Sequence, residues 1–396
     1  MIPIHGYVAP RFEEVRNAFV RNFRRYGELG AACAVWLRSE LVVDLWGGYR
    51  DRDRRHLWQR NTLVPVFSTT KGISAFVLAL AHSRGLFDYN ERISRYWPEF
   101  AQNGKESITV RQLLAHQAGL CALDEPLDAE LLADLDRLAG VLARQRPAWT
   151  PGTRQGYHGI SLGFYQNELL RRVDPQRRSI RRYFQEEIAG PLGLDFHYGL
   201  PASLPPERLA ELQDMAVWQF FLHFRRVSWR FLAAAARRRT LTFQALRNPH
   251  FSRPSHIFAP EYARVELPSS NGIGEARSIA RLFAIFAAGG KELNLRPATF
   301  AQLIAPSEPP VGGNFDLVMR RETNYALGFS KPSRTLPFSA NPQAFGAAGI
   351  GGSFAFADPA IQLGYAYLPN RCRIESCDPR DQSLREAVYQ CLPKAG

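Results

Sequence analysis

Apolar residues recur in this chain with two periods, and these periods predict alternating helices and strands near the amino terminus. In residues 12–26 every third or fourth residue is apolar, as expected for an amphipathic helix. Two apolar runs, 31–37 and 41–46, are separated by Arg38-Ser39-Glu40 and predict a β-hairpin. A β-rich run, 62–67, then leads into a helical pattern that begins at Ser68. The apolar positions of that helix are Ile73, Phe76, Val77, Leu80 and Ala81.

The middle of the chain is predicted to be helical, and the last third returns to strands. The strands 352–357 and 362–368 are predicted to pair as a hairpin around Asp358-Pro359. Strands at both ends with helices between them indicate an α+β fold (an α/β sandwich): an antiparallel sheet flanked by helices, with a mostly helical insertion. The further predicted helices are 108–114 with Thr109 as its cap, 121–146, 161–173, 180–188, 275–288 and 382–392.

This pattern divides the chain into two predicted domains. Residues 1–75 plus 268–396 are expected to form the sheet domain, and residues 76–267 the helical domain. The helical domain includes a segment, 205–265, in which aromatic residues alternate with arginines. Its aromatic residues include Trp218, Phe220, Phe221, Phe224, Trp229 and Phe231, and its arginines include Arg225, Arg226, Arg230, Arg237, Arg238 and Arg239.

Three interpretations of the 205–265 segment stay open. It is a helix packed on the helical domain with its arginines in solvent, a lid over a substrate pocket, or a surface that makes peripheral membrane contact through 215–239. A nucleic-acid groove is the least favoured use, because the chain has no zinc-finger spacing, no basic region with heptads and no aromatic RNA-binding motif. We therefore expect no nucleic-acid partner despite the net charge of +13.

The most informative short motif is Ser68-x-x-Lys71, between the predicted strand 62–67 and the helix that follows. Residues three apart share a helix face, so the hydroxyl and the amine can meet. A serine hydroxyl becomes a nucleophile when a neighbouring base takes its proton, and burial lowers a lysine pKa toward that role. The chain holds five lysines against forty-five arginines, so a lysine at this spacing is informative. The alternative is an ordinary N-cap serine with a surface lysine.

Cysteine and histidine positions favour neither a disulfide scaffold nor a metal site. The five cysteines are scattered, their number is odd, and none forms Cys-x-x-Cys. No histidine pair has metal-ligand spacing, so we expect no metal. The first residues lack the pattern of a signal peptide, and no run of about 18 apolar residues occurs. A soluble cytoplasmic protein is the resulting expectation.

Several stretches together resemble the serine β-lactamase and penicillin-binding-protein superfamily, and within it the class-C-like serine hydrolases that include family VIII carboxylesterases. The resemblance extends from about residue 6 to residue 368. The stretches are Val66-Phe67-Ser68-Thr69-Thr70-Lys71-Gly72, Ile108-Thr109-Val110-Arg111-Gln112-Leu113-Leu114-Ala115-His116-Gln117-Ala118-Gly119-Leu120, Trp149-Thr150-Pro151-Gly152, Gly156-Tyr157-His158-Gly159, Gly190-Pro191-Leu192-Gly193-Leu194-Asp195-Phe196 and Gly349-Ile350-Gly351-Gly352-Ser353-Phe354-Ala355-Phe356-Ala357-Asp358-Pro359.

The resemblance implies roles for three side chains and two backbone amides. Ser68 matches the family nucleophile, Lys71 its partner, and Tyr157 the tyrosine of the second motif. A phenol beside a lysine cation is favoured as phenolate, so Tyr157 is expected to act as a base toward Ser68 and then toward water. The backbone N–H groups of Ser68 and Ile350 are implied as the oxyanion hole.

The third motif departs from the family. Relatives carry Lys, His or Trp two residues before its glycine, whereas this chain has Ala347 before Gly349, with Gly351 following. A lysine there binds the carboxylate of β-lactams, so weak or no β-lactamase activity is expected.

Three polar features near the motifs are interpreted as structural. His116 and His158 are taken to be core or turn histidines. The stretch Ser269-Ser270-Asn271 is taken as a turn and helix cap, because it lies too far along the chain for the Ser-x-Asn motif of other branches.

The expected function is hydrolysis of carboxylic esters of modest acyl length, through an acyl-enzyme on Ser68 and without a cofactor. The expected partner is a small-molecule ester or amide substrate, and the oligomeric state stays open. One alternative is an acyltransferase or D-amino-acid peptidase that uses the same site. Another is a degenerate, non-catalytic scaffold, motivated by Ala347.

Overall fold

The computed structural model describes residues 2–214, 228–251, 253–373 and 377–393. Its largest element is an eight-stranded antiparallel sheet in the order β1-β3-β2-β13-β12-β11-β10-β9, built from both ends of the chain. A smaller sheet has the order β4-β6-β5, and β7 pairs with β8. The strands are β1 (Ile4–Val8), β2 (Gly30–Leu37), β3 (Glu40–Gly48), β4 (Val64–Phe67), β5 (Phe196–Tyr198), β6 (Gly272–Gly274), β7 (Phe315–Asp316), β8 (Arg321–Glu322), β9 (Tyr325–Ala326), β10 (Phe329–Ser330), β11 (Phe345–Ala348), β12 (Phe354–Asp358) and β13 (Leu363–Pro369).

Helices cover both faces of the large sheet, and most of the others lie between β4 and β6 in sequence. The described α-helices are α1 (Glu13–Tyr26), α2 (Thr70–Ser83), α3 (Ile93–Tyr96), α4 (Val110–Leu114), α5 (Ala129–Ala133), α6 (Leu135–Arg144), α7 (Ser161–Val173), α8 (Ile180–Phe184), α9 (Gly190–Leu192), α10 (Trp229–Ala235), α11 (Leu241–Leu246), α12 (Pro260–Ala263), α13 (Ala276–Ala287), α14 (Pro297–Ile304) and α15 (Pro379–Gln390). Short 3-10 helices occupy Pro10–Phe12, Pro98–Phe100, Pro206–Arg208, Pro254–Phe258 and Lys291–Leu293, and a π turn occupies Gln185–Ala189.

Alternation along the strands divides the apolar residues of the sheet between two cores. On one face, Phe354 and Phe356 pack with residues of α1 and α15. On the other face, Phe345 and Ala355 pack with α2, α13 and the helices of the insertion. The helix α2 is apolar on all sides and is buried at nearly every position, so it passes through the centre of this second core.

The α+β class and its sheet of N- and C-terminal strands are confirmed, as is the insertion of helices between them. The Thr109 cap is also confirmed: its side chain accepts from Gln112 N while the Gln112 side chain accepts from Thr109 N. The exact domain boundaries stay a prediction. Within the described ranges, no helix combines the length and hydropathy needed to cross a membrane.

The predicted helices over 121–146 and from residue 382 differ from those observed. The single helix expected over 121–146 is two helices, α5 and α6, because the side chains of Asp128 and Asp134 each accept from backbone N–H groups and start a new helix. The helix expected from residue 382 begins earlier, at Pro379, because the Asp378 side chain caps it by accepting from Arg380 N.

Candidate active site

Ser68 lies in a sharp turn between β4 and α2. Phe67 has φ of +48°, a left-handed conformation that is uncommon for an aromatic residue. Thr70 holds this turn, since its Oγ1 donates to Phe67 O and accepts from Gly272 N at 2.9 Å. The helix therefore begins at Thr70, two residues after the expected start, because the chain has to reverse direction before helical geometry is reached. The turn leaves the Ser68 side chain partly exposed.

The structure brings the Lys71 amine to the Ser68 hydroxyl. Lys71 Nζ lies 3.1 Å from Ser68 Oγ and donates to Ser269 O at 2.9 Å and to Gly159 O at 2.5 Å. The residue is 3% exposed. Burial holds the pKa of Lys71 well below its usual 10.5, because a buried ammonium loses its hydration. The amine is therefore available as a proton acceptor.

Tyr157 lies on the other side of the serine. Its ring centroid is 4.9 Å from Lys71 Nζ. Burial raises the pKa of Tyr157 to about 12, and interaction with the Ser68 hydroxyl offsets only part of that rise. Burial therefore opposes the phenolate expected beside a lysine cation, because it favours the neutral form of both groups.

Two buried histidines fix the backbone around Tyr157. His116 O accepts from Gly156 N at 3.0 Å, and His116 Nδ1 accepts from His158 N at 3.0 Å. His158 Nε2 accepts from Leu120 N at 3.0 Å, while its Nδ1 bonds Gly156 O at 2.7 Å. Burial lowers the pKa of His158 to about 4 and moves that of His116 in the same direction. Both are neutral core histidines, as expected.

Asp316 anchors the same loop, and the sequence reasoning missed it. The carboxylate is fully buried. It accepts from Tyr157 N at 3.0 Å, from Val318 N and Met319 N at 2.8 Å, and from the hydroxyls of Thr323 and Tyr325 at 3.2 Å. No motif marks Asp316 in the sequence, because it lies 159 residues beyond Tyr157 and acts through main-chain donors.

The third-motif strand lies against the turn that carries Ser68. Ala347 pairs with Ala355 on the sheet face that covers α2, and a Cβ added to Gly72 would lie 3.0 Å from the Ala347 Cβ. A Cβ on Gly349 would lie 2.3 Å from Val66 O, so the strand end and the turn are in direct contact. Position 347 therefore lies against Gly72, the residue that follows Lys71, and carries only a methyl group.

Two backbone N–H groups near this contact are free. Among the residues that the structure describes, neither Ser68 N nor Ile350 N has a hydrogen-bond acceptor. Ile350 lies in the loop that follows β11 and is 48% exposed. These are the two amides that the family resemblance implies for an oxyanion hole.

Ser269-Ser270-Asn271 forms a turn, as expected, but it does not cap the helix that follows. Helix α13 has Glu275 at its N-cap position. Ser269 Oγ instead accepts from Gly163 N at 2.6 Å, within the first turn of α7, and Ser269 O binds Lys71. Ser269 thus caps a helix that lies about a hundred residues earlier in the chain. The sequence around Ser269 gives no sign of this contact.

The described parts of the 205–265 segment border the site from two directions. Phe258 contacts Phe67, with ring centroids 5.8 Å apart. Leu241 and Tyr157 both pack against the small buried cluster of Cys121, Ala245 and Val318, and a Cβ on Gly159 would lie 3.3 Å from Leu246. The aromatic residues Trp218, Phe220, Phe221 and Phe224, with Arg225 and Arg226, lie outside the described residues.

Comparisons with known proteins show what this chain is similar to. A family model described as Beta-lactamase matches residues 16–389. The esterase/beta-lactamase LipL of Mycobacterium tuberculosis is 32% identical over 380 residues, covering 93% of this chain and 83% of that protein. A crystal structure of a family VIII carboxylesterase has a TM-score of 0.86 at 36% identity and covers 99% of this chain and 100% of its own. A penicillin-binding-protein homologue from Caulobacter crescentus has a TM-score of 0.84 at 34% identity, covering 98% and 100%.

The chain belongs to the β-lactamase family and is a serine hydrolase. The family match covers nearly all of the sequence, and the fold of the relatives extends over both the sheet and the helical insertion.

Proposed function

We propose that this enzyme hydrolyses carboxylic esters through an acyl-enzyme on Ser68. The observation that carries the proposal is the buried Lys71 amine, 3.1 Å from Ser68 Oγ and with a lowered pKa. The relatives named as an esterase/beta-lactamase and as a family VIII carboxylesterase support the choice of an ester over other acyl compounds.

In the proposed steps, Lys71 and Tyr157 carry the protons between Ser68, the leaving alcohol and water. Neutral Lys71 accepts the Ser68 proton as Oγ attacks the ester carbonyl, and the Ser68 and Ile350 amides stabilise the developing oxyanion. The Tyr157 phenol donates its proton to the departing alkoxide and is re-protonated by the Lys71 ammonium. Water then attacks the acyl-enzyme, passes a proton to the Lys71 and Tyr157 pair, and releases the acid and the Ser68 hydroxyl.

We further propose an uncharged acyl group of modest length. Among the described residues, Phe258 lies against Phe67 and Leu246 lies near Gly159, and these apolar side chains beside the site favour an apolar acyl chain. Ala347 supplies no cation for a substrate carboxylate. We therefore expect weak or no turnover of β-lactams, whose carboxylate would stay unpaired at this position.

A fluorophosphonate probe and a substrate panel test the proposal. Wild-type enzyme should be labelled and should hydrolyse p-nitrophenyl acetate to hexanoate far faster than nitrocefin. Ser68→Ala should lose both labelling and turnover, whereas Ser270→Ala, which removes a neighbouring buried hydroxyl, should keep them. Persistent labelling or ester turnover in Ser68→Ala would refute the acyl-enzyme on Ser68.

The same assays separate the alternatives. An acyltransferase or D-amino-acid peptidase would transfer the acyl group to an added alcohol or amine faster than to water, or would cleave D-amino-acid amides. A non-catalytic scaffold would show neither Ser68-dependent labelling nor ester turnover.

We also propose peripheral contact between the 215–239 surface and anionic lipid. Residues 215–227 lie outside the described residues, so the proposal is built on the remainder. Trp229 is 64% exposed, and Arg230, Arg237, Arg238 and Arg239 are exposed beside it. A tryptophan among arginines suits a negatively charged lipid interface. Co-sedimentation with phosphatidylglycerol vesicles should fall in Arg238→Glu/Arg239→Glu and persist in Arg24→Glu/Arg25→Glu, on the opposite face of the sheet.

A cytoplasmic location remains our proposal for this enzyme. The five cysteines all lie among the described residues and carry free thiols, which supports a reducing compartment. Alkylation of the thiols in freshly isolated protein, without reductant, tests it.

A further inference from the structure

The loop 349–352, between β11 and β12, is tightly bonded except at one amide. Gly349 N donates to Ser353 O at 2.8 Å, Gly351 N to Arg373 O at 2.9 Å, and Gly352 N to Gly349 O at 3.2 Å. The Ile350 N–H is the exception among the loop's donors within the described chain. The loop therefore has one donor left to offer a substrate, and the direction of that donor depends on what fixes the rest of the loop.

Arg380 holds the loop 349–352 in place. Its Nη2 donates to Gly351 O at 3.1 Å. The guanidinium is completely buried, and its other donors are engaged: Nη1 with Glu28 Oε1 at 2.7 Å and Arg371 O at 3.0 Å, and Nε with the Asp378 carboxylate at 3.0 Å. A planar group held on several sides has little freedom to rotate. The position of Gly351 O is therefore defined by this ion cluster together with Arg373 N, which donates to the same oxygen at 3.2 Å.

The loop and the ion cluster are also in steric contact. Gly351 and Gly352 have φ of +96° and +105°, a region that favours glycine. A Cβ on Gly352 would lie 2.4 Å from Asp378 Oδ2 and 2.6 Å from Arg380 Nη2. Because there is no space between them, movement of the cluster would move the loop.

We propose that Arg380 is a positioning residue that orients the Ile350 amide toward the oxyanion. The inference rests on the proposed function, because the Ile350 N–H acts only once a tetrahedral intermediate forms on Ser68. An oxyanion donor is effective only when it already points at the charge that develops, and loss of one such donor lowers kcat by about 100- to 1,000-fold. Loosening the support rather than removing the donor should give a smaller loss.

Arg385 provides a matched control on the same helix. It is also buried, pairs with Asp381 at 2.7 Å and donates to Pro337 O at 3.0 Å, and none of these contacts involves the loop 349–352. Arg380→Lys and Arg385→Lys both replace a buried guanidinium with an amine, so both should lower stability in urea unfolding. A purely structural role for Arg380 predicts the same kinetic behaviour for the two variants.

The readout is kcat and KM for p-nitrophenyl butyrate, with the inhibition constant of an alkyl boronic acid, whose adduct on serine resembles the tetrahedral intermediate. In folded Arg380→Lys we expect kcat to fall by about 10- to 100-fold, KM to stay within about twofold, and the boronic acid to bind weaker by the same factor as kcat. Arg385→Lys should leave all three within about twofold. Equal behaviour of the two variants would overturn the proposal.

A second variant decides the matter if Arg380→Lys does not fold. Gly352→Ala approaches the same contact from the loop and leaves the charges in place. It should lower kcat and boronic-acid affinity together with KM unchanged, and unchanged values in a folded Gly352→Ala would refute the inference. Wild type and Ser68→Ala are measured in parallel: absence of Ser68-dependent turnover in wild type is failure of the proposed function, whereas normal wild-type turnover with unaffected variants is failure of this inference alone.

Discussion

At the scale of residues, lysine has a restricted use in this protein. Three of its five lysines are buried with the amine on backbone carbonyls: Lys71, Lys105 and Lys331. Lys105 Nζ donates to Gln102 O, Ala143 O and Gln145 O, and Lys331 Nζ to Leu303 O and Gln343 O. A compact amine fits such a carbonyl cage, whereas a planar guanidinium does not. Lysine is retained here where arginine, the usual cation of this chain, would not fit.

The lowered pKa of Lys71 predicts the pH dependence of the enzyme. Protonation removes the acceptor for the Ser68 proton, so kcat/KM should rise with pH through the pKa of Lys71, which lies well below 10.5. Tyr157 should stay a phenol until the pH approaches its pKa of about 12. The measurement is kcat/KM for an uncharged ester from pH 5 to 10.

Two substitutions test whether the rise of kcat/KM with pH is due to Lys71. Lys71→Arg keeps a cation that never deprotonates, so kcat should fall by about 100- to 10,000-fold. Lys331 and Lys105 are competing sources, since burial lowers their pKa values to about 7 and about 8. Lys331→Met should keep the pH-dependent rise, and its disappearance in this variant would contradict the assignment.

At the scale of elements, the site is held by side chains that bind backbone rather than substrate. Thr70 fixes the turn before α2, Ser269 Oγ caps α7 and Asp316 gathers the loop of Tyr157. Each of these side chains accepts a hydrogen bond from a backbone N–H that has no partner in a regular helix or sheet. The reactive groups are therefore positioned by loops whose backbone is held by buried side chains.

Replacement of Asp316 should show this dependence. Asp316→Ala leaves three buried N–H donors without an acceptor, so we expect a loss of ~3 kcal/mol or more in the free energy of unfolding and a large fall in kcat as Tyr157 shifts. Asp316→Asn should be milder, because its Oδ1 keeps the N–H donors and its amide can donate to the hydroxyls of Thr323 and Tyr325. Urea unfolding and kcat are the measurements.

The control is a carboxylate that binds backbone away from the site. Asp51 accepts from Arg55 N and His56 N. Asp51→Ala should lower stability by ~1–2 kcal/mol with kcat unchanged. If Asp316→Ala lowered stability but kept full kcat, Asp316 would have no role in placing Tyr157.

At the scale of the whole molecule, the two ends of the chain meet through close packing of sheet and helix. Helix α13 lies on the central strand β13 at Gly364, where a Cβ would be 2.2 Å from Ala280 O and 2.3 Å from Ala284 N. The glycine is needed for backbone contact between the layers. Because β13 pairs with both β2 and β12, this contact joins N- and C-terminal strands to the core that surrounds α2.

Gly364→Ala should therefore destabilise the whole fold. The methyl group forces α13 away from the sheet, at a cost of about 1–3 kcal/mol or more in the free energy of unfolding. Gly140→Ala is the matched control, since this glycine lies inside α6 and its Cβ would meet only the end of the Arg144 side chain, at 3.3 Å. It should stabilise the protein by about 0.5–1 kcal/mol. Unchanged stability in Gly364→Ala would show that α13 can move without cost.

Much of the fold was predictable from local pattern. The period of apolar residues placed α1, α7 and α13, and the hairpin β2–β3, within a few residues of their observed ends, because each buries one face against the core. The Ser68-x-x-Lys71 pair was equally local, since the two side chains lie one turn apart. The apolar pattern did not predict the helix starts at Asp128 and Asp378. These starts are set by side-chain caps, which an apolar period that continues through them does not reveal.

The sequence by itself determined the class of fold and the pairing of Ser68 with Lys71, the proposed nucleophile and its base, because these depend on spacings of a few residues. Only the tertiary structure decided the direction in which burial shifts the pKa values of Lys71 and Tyr157, the anchoring of Tyr157 by Asp316, and the contact of Arg380 with the Ile350 loop. Those properties arise from burial and from contacts between residues far apart in the chain. Neither desolvation nor a hydrogen bond across such a separation leaves a periodic signal in the sequence.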